Sequence, residues 1–166
     1  PDDIFRILVQ DLLDPLLPAD APWLLAADDT TAQKYGPRVA FAAWFRDPVR
    51  STANQKVFHK AHNWVILCLL IPIPRLPGKY LHISLLSRLY LKQNLCTPDH
   101  PFRTRQQLVA EMVHLLQTWL PSRKFLLTVD GQYPSEELAR ELPQDVPLLS
   151  RLRTDAALFQ LPPPHN

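Results

Sequence analysis

The chain has 166 residues and a formal net charge of +2 at neutral pH, with 46% hydrophobic and 20% charged residues. This length and apolar content suit one folded domain and exclude a disordered tail, while the even charge balance does not by itself indicate a nucleic-acid-binding protein. Eighteen prolines, only 3 glycines and Pro1 in place of an initial Met indicate a piece of a longer protein.

Two classes of protein are not expected from the cysteines and the apolar runs. Cys68 and Cys96 have no CxxC motif or neighbouring histidine pair, so neither a disulfide framework nor a zinc site is predicted, and a reducing, intracellular compartment fits. The longest apolar run, near residues 65–71, is shorter than the roughly 20 residues of a spanning helix. We therefore expect a soluble protein with no membrane partner.

The first half of the chain alternates apolar runs with turn signals. Residues 4–13 have apolar side chains at helical spacing and predict a short helix that ends at Pro15 and Pro18. Residues 23–27 predict a strand that ends in carboxylates, and residues 32–61 predict mostly loop. Residues 63–73 are the strongest strand, and their near-continuous hydrophobicity predicts burial on both faces.

The second half predicts two helices between strands. Residues 80–91 predict a strand followed by irregular structure, and the apolar spacing of residues 103–120 predicts a helix that Pro121 ends. Residues 124–130 predict a buried strand, Ser135 predicts the cap of a short helix, and residues 147–153 predict a last strand. The order is typical of a layered α/β domain with a mixed sheet.

Two of these strands, far apart in the sequence, each end in an aspartate. Asp28 and Asp29 follow the first strand, and Asp130 follows the strand at 124–130. Sites in α/β sheets gather at the carboxyl ends of strands, and carboxylates that converge there are hard oxygen ligands for Mg²⁺ or Mn²⁺. On spacing alone the other interpretation is equally simple, because aspartates are also common turn residues.

Four segments in order resemble the catalytic domain of an insertion-sequence DDE transposase, an enzyme of the retroviral-integrase-like, ribonuclease H-like superfamily. They are the strings LAADDTT at 25–31, HNWVIL at 62–67, LTVDGQY at 127–133 and SRLRTDAAL at 150–158. The resemblance implies a ribonuclease H-like mixed five-stranded sheet flanked by helices and truncated before the final catalytic helix. It implies an N-terminal helix and linker at 1–20, a partial catalytic domain at 21–161 and a proline-rich end at 162–166.

The resemblance also implies a set of site residues. The first catalytic and metal-binding acid corresponds to Asp29, with Asp28 as the alternative, because a shift of one residue in a strand reverses the face of its side chain. The second acid corresponds to Asp130. The third, usually a Glu on a later helix, is expected beyond Asn166, and the acids at 136, 137 and 141 are interpreted as a solvated helix face. A site with two of three acids implies little or no activity for this piece.

The function that the resemblance implies for the parent enzyme is metal-dependent cleavage and strand transfer at transposon ends. It implies two Mg²⁺ or Mn²⁺ ions, transposon ends and target DNA as partners, a homodimer, and a place in the bacterial cytoplasm or nucleoid. Two alternatives stay open: a catalytically dead remnant that only binds DNA, and a Mg²⁺-dependent nuclease of similar fold.

Cationic side chains are concentrated between the first two predicted strands. Residues 34–60 contain six lysines and arginines and the single acid Asp47, and two more arginines alternate along the last predicted strand. They indicate either a surface that follows a DNA backbone or an ordinary solvated loop. The candidate DNA contacts are Lys34, Arg38, Arg50, Lys56, Arg151 and Arg153.

Overall fold

The computed structural model describes residues 2–131 and 133–151, so Arg153 and the proline-rich end lie outside the described residues. Its centre is one mixed sheet of six strands. The strands are β1 (Trp23–Gln33), β2 (Ala43–Arg46), β3 (Phe58–Pro72), β4 (Tyr80–Tyr90), β5 (Phe125–Val129) and β6 (Leu148–Ser150).

The strand order makes β1 the centre of the sheet. β1 pairs antiparallel with β3 on one side and parallel with β5 on the other, and β6 continues the parallel part beyond β5. Both β2 and β4 pair antiparallel with successive parts of β3. The predicted mixed α/β sheet is confirmed, although it has six strands and not five, because β2 forms inside a segment that was predicted to be loop.

Among the residues that the structure describes, three helices and a short 3-10 turn accompany the sheet. The N-terminal helix runs through α1 (Asp2–Ile7), a π-helical segment (Leu8–Leu13) and α2 (Asp14–Leu16), and a 3-10 turn follows β4 at Gln93–Leu95. The predicted end is confirmed, because the helix stops at Leu16, one residue past Pro15 and before Pro18. The other helices are α3 (Arg105–Trp119) and α4 (Glu136–Glu141).

Both later helices begin at a side-chain cap, and the cap at Ser135 was predicted from the sequence. The Thr104 side chain accepts a hydrogen bond from the N–H of Gln107, whose own side chain bonds back to the Thr104 N–H. The Ser135 side chain accepts from the N–H of Leu138 at the start of α4. Among the described residues, no helix is long and apolar enough to cross a membrane.

The sequence predicted that β1 ends at its carboxylates, but the strand continues beyond them. Its parallel pairing with β5 stops at Ala27, opposite Val129, but its antiparallel pairing with β3 continues to Gln33, opposite Ala61. β4 is also longer than predicted. Its alternation is interrupted because the register shifts beside Leu67, which leaves Leu85 and Leu86 both buried.

The helices cover one face of the sheet, which we call the covered face. Leu25, Val65 and Leu127 lie there in a single core with residues of the N-terminal helix, α3 and α4. The other face, here called the open face, carries alternate residues of the same strands, such as Ile66 and Thr128, which are only half-buried. The prediction that β3 is buried on both faces is therefore wrong for the described residues.

Candidate functional site

Two carboxylates meet on the open face where β1 and β5 separate. Ala27 and Val129 are the last paired residues of these parallel strands, and both are buried on the covered face. Because side chains alternate along a strand, the next residues, Asp28 and Asp130, point to the open face, on strands about 4.8 Å apart. Both line one open cavity together with Ala26, Ile66 and Thr128, and the adjoining Asp29 also lines it.

The acid pair, Asp28 and Asp130, places two negative charges close together, and no cation of the described residues pairs with them. Partial burial raises the pKa of Asp28, the carboxylates of Asp29 and Asp130 raise it further, and a hydrogen bond from the Asp29 N–H opposes the rise. Asp130 accepts the N–H of Gly131 at 2.6 Å. In the described part of the chain, no lysine or arginine forms an ion pair with either carboxylate.

Asp29 lies on the covered face and has a different environment. Its Oδ2 accepts a hydrogen bond from Asn63 Nδ2 at 2.7 Å, and its Oδ1 accepts one from the Tyr133 hydroxyl at 3.0 Å. Arg105 Nε lies 3.3 Å from the same Oδ2 and also donates to Asn63 Oδ1 at 3.2 Å. The carboxylate of Asp29 therefore has three protein partners already.

The partners of Asp29 are themselves fixed in place. Asn63 is 1% exposed, and the guanidinium of Arg105 lies over the ring of Tyr90, 4.3 Å from its centroid. Burial, and then the charge of Asp29, raises the pKa of the Tyr133 hydroxyl, which therefore stays protonated and donates to Asp29. This network ties β1 to β3, to the start of α3 and to the turn that follows Asp130.

The acid pair offers a metal ion the right chemistry but an incomplete ligand set. Exposed carboxylate oxygens without cationic partners are what Mg²⁺ and Mn²⁺ prefer. Across residues 2–131 and 133–151, no group of three acidic, histidine or cysteine side chains is placed to hold a metal ion. The acid pair thus fits two ligands of a divalent ion, and Asp29 points away from them.

The acids of α4 do not complete the site. Glu137 accepts a hydrogen bond from Thr104 Oγ1 at 3.2 Å, and Glu141 accepts one from Gln107 Nε2 at 3.3 Å. Both therefore fasten α4 to the beginning of α3, and the expected solvated face is correct only for the exposed Glu136.

Of the candidate DNA contacts, Arg151 lies at the same end of the sheet as the acid pair, because it directly follows Ser150, the β6 residue that pairs with Val129. The candidate DNA contacts at 34–56 are farther away. Lys34 follows β1, whose last residue lies five positions, or about 17 Å of strand, beyond Asp28. Arg38, Lys56 and Arg151 are exposed, while Arg50 is exposed and pairs loosely with Asp47 at 3.7 Å.

Sequence reasoning missed the network around Asp29. Asn63 and Tyr133 were named only within the quoted strings, and Arg105 was included only as part of a predicted helix. A signal for Asn63 did exist, since it is an amide in the apolar run of a predicted buried strand, where a polar group needs a partner.

Comparison with known proteins gives one match. The model of a family described as DDE superfamily endonuclease matches residues 2–166, which is nearly the whole chain. No curated protein and no solved structure matches the chain.

Proposed function

Because this chain belongs to the DDE superfamily endonuclease family, we propose that it is part of a transposase catalytic domain whose first two acids are Asp28 and Asp130. DDE-type endonuclease domains generally use divalent metal ions to cut phosphodiester bonds. The observation that carries the proposal is the acid pair on the open face: two carboxylates at the ends of adjacent parallel strands that form no ion pair within residues 2–131 and 133–151.

The geometry favours Asp28 over Asp29 as the first acid. All three aspartates line one cavity, but only Asp28 shares a sheet face with Asp130. The side chain of Asp29 is on the opposite face and is bonded to Asn63, Tyr133 and Arg105. A metal ion that took Asp29 as a ligand would have to displace these bonds. Asp29 is therefore proposed as a positioning residue that holds the acid pair in register.

The protein's own contribution to the chemistry is placement. Pairing of β1 with β5 sets the spacing of the two carboxylates, and the Gly131 N–H fixes the Asp130 carboxylate by its bond to Oδ1. A divalent ion held by Asp28 and Asp130 would supply Lewis acidity and an activated water or 3′-hydroxyl. Carboxylates fixed before the reaction lower the barrier because they need no rearrangement during it.

The substrate proposed for this site is DNA, at transposon ends and at the target. The cationic segment between β1 and β3 supports this, since Lys34 directly follows β1, about 20 Å or about six base pairs from Asp28, and Arg38 and Lys56 are exposed. A homodimer that pairs two ends is part of the proposal. A self-sufficient nuclease is less favoured, because the described residues include no complete group of three metal ligands.

The test is metal-dependent nicking of supercoiled DNA by the full-length protein. Asp130→Asn should abolish nicking in Mg²⁺ or Mn²⁺ while DNA binding, measured by gel shift, stays within about twofold of the unmodified protein. The matched control is Asp145→Asn, a change at an exposed acid that contacts Gln117 at 2.8 Å, which should leave nicking intact. Full nicking by Asp130→Asn would overturn the assignment.

A further inference from the structure

Three large aromatic side chains are exposed at the β2 end of the sheet. Tyr35 is 80% exposed, Trp44 61% and Phe58 53%, and all three line one groove with Lys34 and Lys60. We call these five residues the aromatic patch. Single exposed apolar residues are common on proteins, but a contiguous group of aromatic rings beside cations indicates a binding surface.

The aromatic patch is on the same face of the sheet as the acid pair. Trp44 is paired with Lys60, and the strict alternation of burial along β3 puts Lys60 on the side of Ile66, the residue opposite Asp28. Ile66 lies six positions beyond Lys60 along β3, which is about 20 Å of strand. One open surface therefore connects the aromatic patch with the acid pair.

Packing does not explain why these rings are exposed. The alternate residues of β2, Ala43 and Phe45, are buried with Ala61 in a small cluster on the covered face, and this burial stabilises the strand without Trp44. Pleating then turns Trp44 outward, where a ring gains nothing from the core of the domain.

The groove is held open by hydrogen bonds. Lys60 Nζ donates to the carbonyl oxygens of Gly36 and Pro37 at 3.0 and 3.1 Å, and the N–H of Lys34 donates to the carbonyl of Lys60 at 2.8 Å. These bonds fix the turn that carries Tyr35 against β3. The site is therefore preformed, and a ligand can bind without the entropy cost of first ordering this turn.

The charge around the aromatic patch is positive. Residues 34–60 contain six lysines and arginines and one acid, a balance of +5, so the rest of the chain has a balance of −3. The single acid, Asp47, accepts the N–H groups of Arg50 and Val49 and faces His59 at 3.6 Å. The segment is therefore suited to a polyanion, and its rings are suited to flat bases.

We propose that the aromatic patch binds unpaired DNA by stacking bases on Trp44, Phe58 and Tyr35. The inference rests on the proposed function for the identity of the nucleic acid as DNA. Unpaired bases expose the faces that aromatic rings stack on, whereas the bases of a duplex already stack on each other. A strand separated near the cleavage point would thus be held about 20 Å from the acid pair.

The test compares labelled single-stranded and duplex oligonucleotides in a binding titration by fluorescence anisotropy. The solutions contain EDTA and no divalent metal, so that binding does not depend on the acid pair. The protein should prefer a 12-nucleotide oligothymidine to a 12-base-pair duplex. The double substitution Trp44→Ala with Phe58→Ala should weaken single-strand binding by about tenfold or more and duplex binding by less than about twofold.

Two variants keep the test specific to stacking. Trp44→Phe retains an aromatic ring and should bind the single strand within about threefold of the unmodified protein. Tyr80→Ala removes a ring that is 44% exposed at the other end of β3, opposite Pro72, and should change neither affinity. Unchanged single-strand binding by the double variant, equal weakening of both ligands, or a preference for RNA of the same sequence would overturn the inference.

The outcome is separable from that of the proposed function. Asp130→Asn should bind the single strand normally in EDTA, whatever it does to nicking. If this variant nicks normally while the Trp44→Ala, Phe58→Ala double variant loses single-strand binding, the proposed function fails and the aromatic patch remains a single-strand site. If Asp130→Asn abolishes nicking while the double variant binds the single strand normally, the inference about the aromatic patch fails and the proposed function stands.

Discussion

Asp28 and Asp29 are identical side chains on consecutive residues, yet they lie in opposite environments. Asp29 faces the helices and accepts hydrogen bonds from Asn63 and Tyr133, with Arg105 beside it. Asp28 faces the open side, as Asp130 does, although Asp29 also lines the cavity that they share. The alternation of side chains along β1, and not the residue type, therefore decides which carboxylate is available to a ligand and which one stabilises the fold.

The largest expected difference between the two aspartates is in the rate of DNA cleavage, measured after each is replaced by asparagine in the full-length protein. Asp28→Asn should lower the rate of metal-dependent cleavage by about a thousandfold, because a neutral amide is a poor ligand for Mg²⁺. Asp29→Asn should retain cleavage within about tenfold at a temperature where the variant is folded, since it leaves both members of the acid pair in place. Initial rates on a labelled end-containing duplex measure both.

The control for this pair of substitutions is a circular dichroism melt of each variant under the assay conditions. Cleavage that survives Asp28→Asn and disappears in a folded Asp29→Asn protein would reverse the roles assigned to the two residues.

The free energy of unfolding should change more in Asp29→Asn than in Asp28→Asn, which is the reverse of the order expected for cleavage. Asp29→Asn should lower the free energy of unfolding by about 2 kcal/mol, since charge-assisted bonds with Arg105 and Asn63 are lost within a partly buried network. Asp28→Asn should not lower it. Urea unfolding followed by tryptophan fluorescence gives both values, and equal losses in the two variants would show that the faces do not differ as described.

A smaller change tests one bond of the network. Tyr133→Phe removes the hydroxyl that donates to Asp29 at 3.0 Å and should cost about 1 kcal/mol of unfolding free energy. The phenyl ring keeps its buried position. In the background of Asp29→Asn the same substitution should cost less, because the charge-assisted bond is already gone, and a full additive loss would show that the two groups are not coupled.

The smallest expected effect is in the pH dependence of stability. Since the pKa of Asp28 is raised in the folded state, the folded protein binds this proton more tightly than the unfolded chain does. The contribution of Asp28 to stability is thus present at pH values below its ordinary pKa and is lost as the pH rises through the raised value. Asp28→Asn should therefore have a slightly higher Tm than the unmodified protein at pH 7, and the difference should vanish near pH 3.5.

A scan of Tm against pH on the two proteins checks this sign. A Tm for Asp28→Asn that falls below that of the unmodified protein at pH 7 would mean that the Asp28 carboxylate is paired, in conflict with its place on the open face.

The elements with strong local signals were predictable from the sequence. The helix α3 follows from its apolar spacing and from Pro121, and α4 follows from its cap at Ser135. β5 follows from one apolar run that ends at Asp130. In each case residues close in sequence supply the determining interaction.

Elements that depend on distant pairing were not predictable. β2 has only four residues and is held by its pairing with β3, and the extension of β1 past Asp28 likewise depends on β3. Because β1 was expected to end at the doublet, the sequence could not decide between Asp28 and Asp29. The contact of Arg105 with Asn63 joins residues 42 positions apart, and no local pattern contains it.

The central claim is that Asp28, and not Asp29, joins Asp130 in holding a divalent ion. It is tested most directly by titrating Mn²⁺ into the unmodified protein, Asp28→Asn and Asp29→Asn, with the free ion measured by electron paramagnetic resonance at pH 7. We expect Asp29→Asn to bind Mn²⁺ like the unmodified protein and Asp28→Asn to lose that binding. Retained binding in Asp28→Asn together with lost binding in a folded Asp29→Asn protein would contradict the claim.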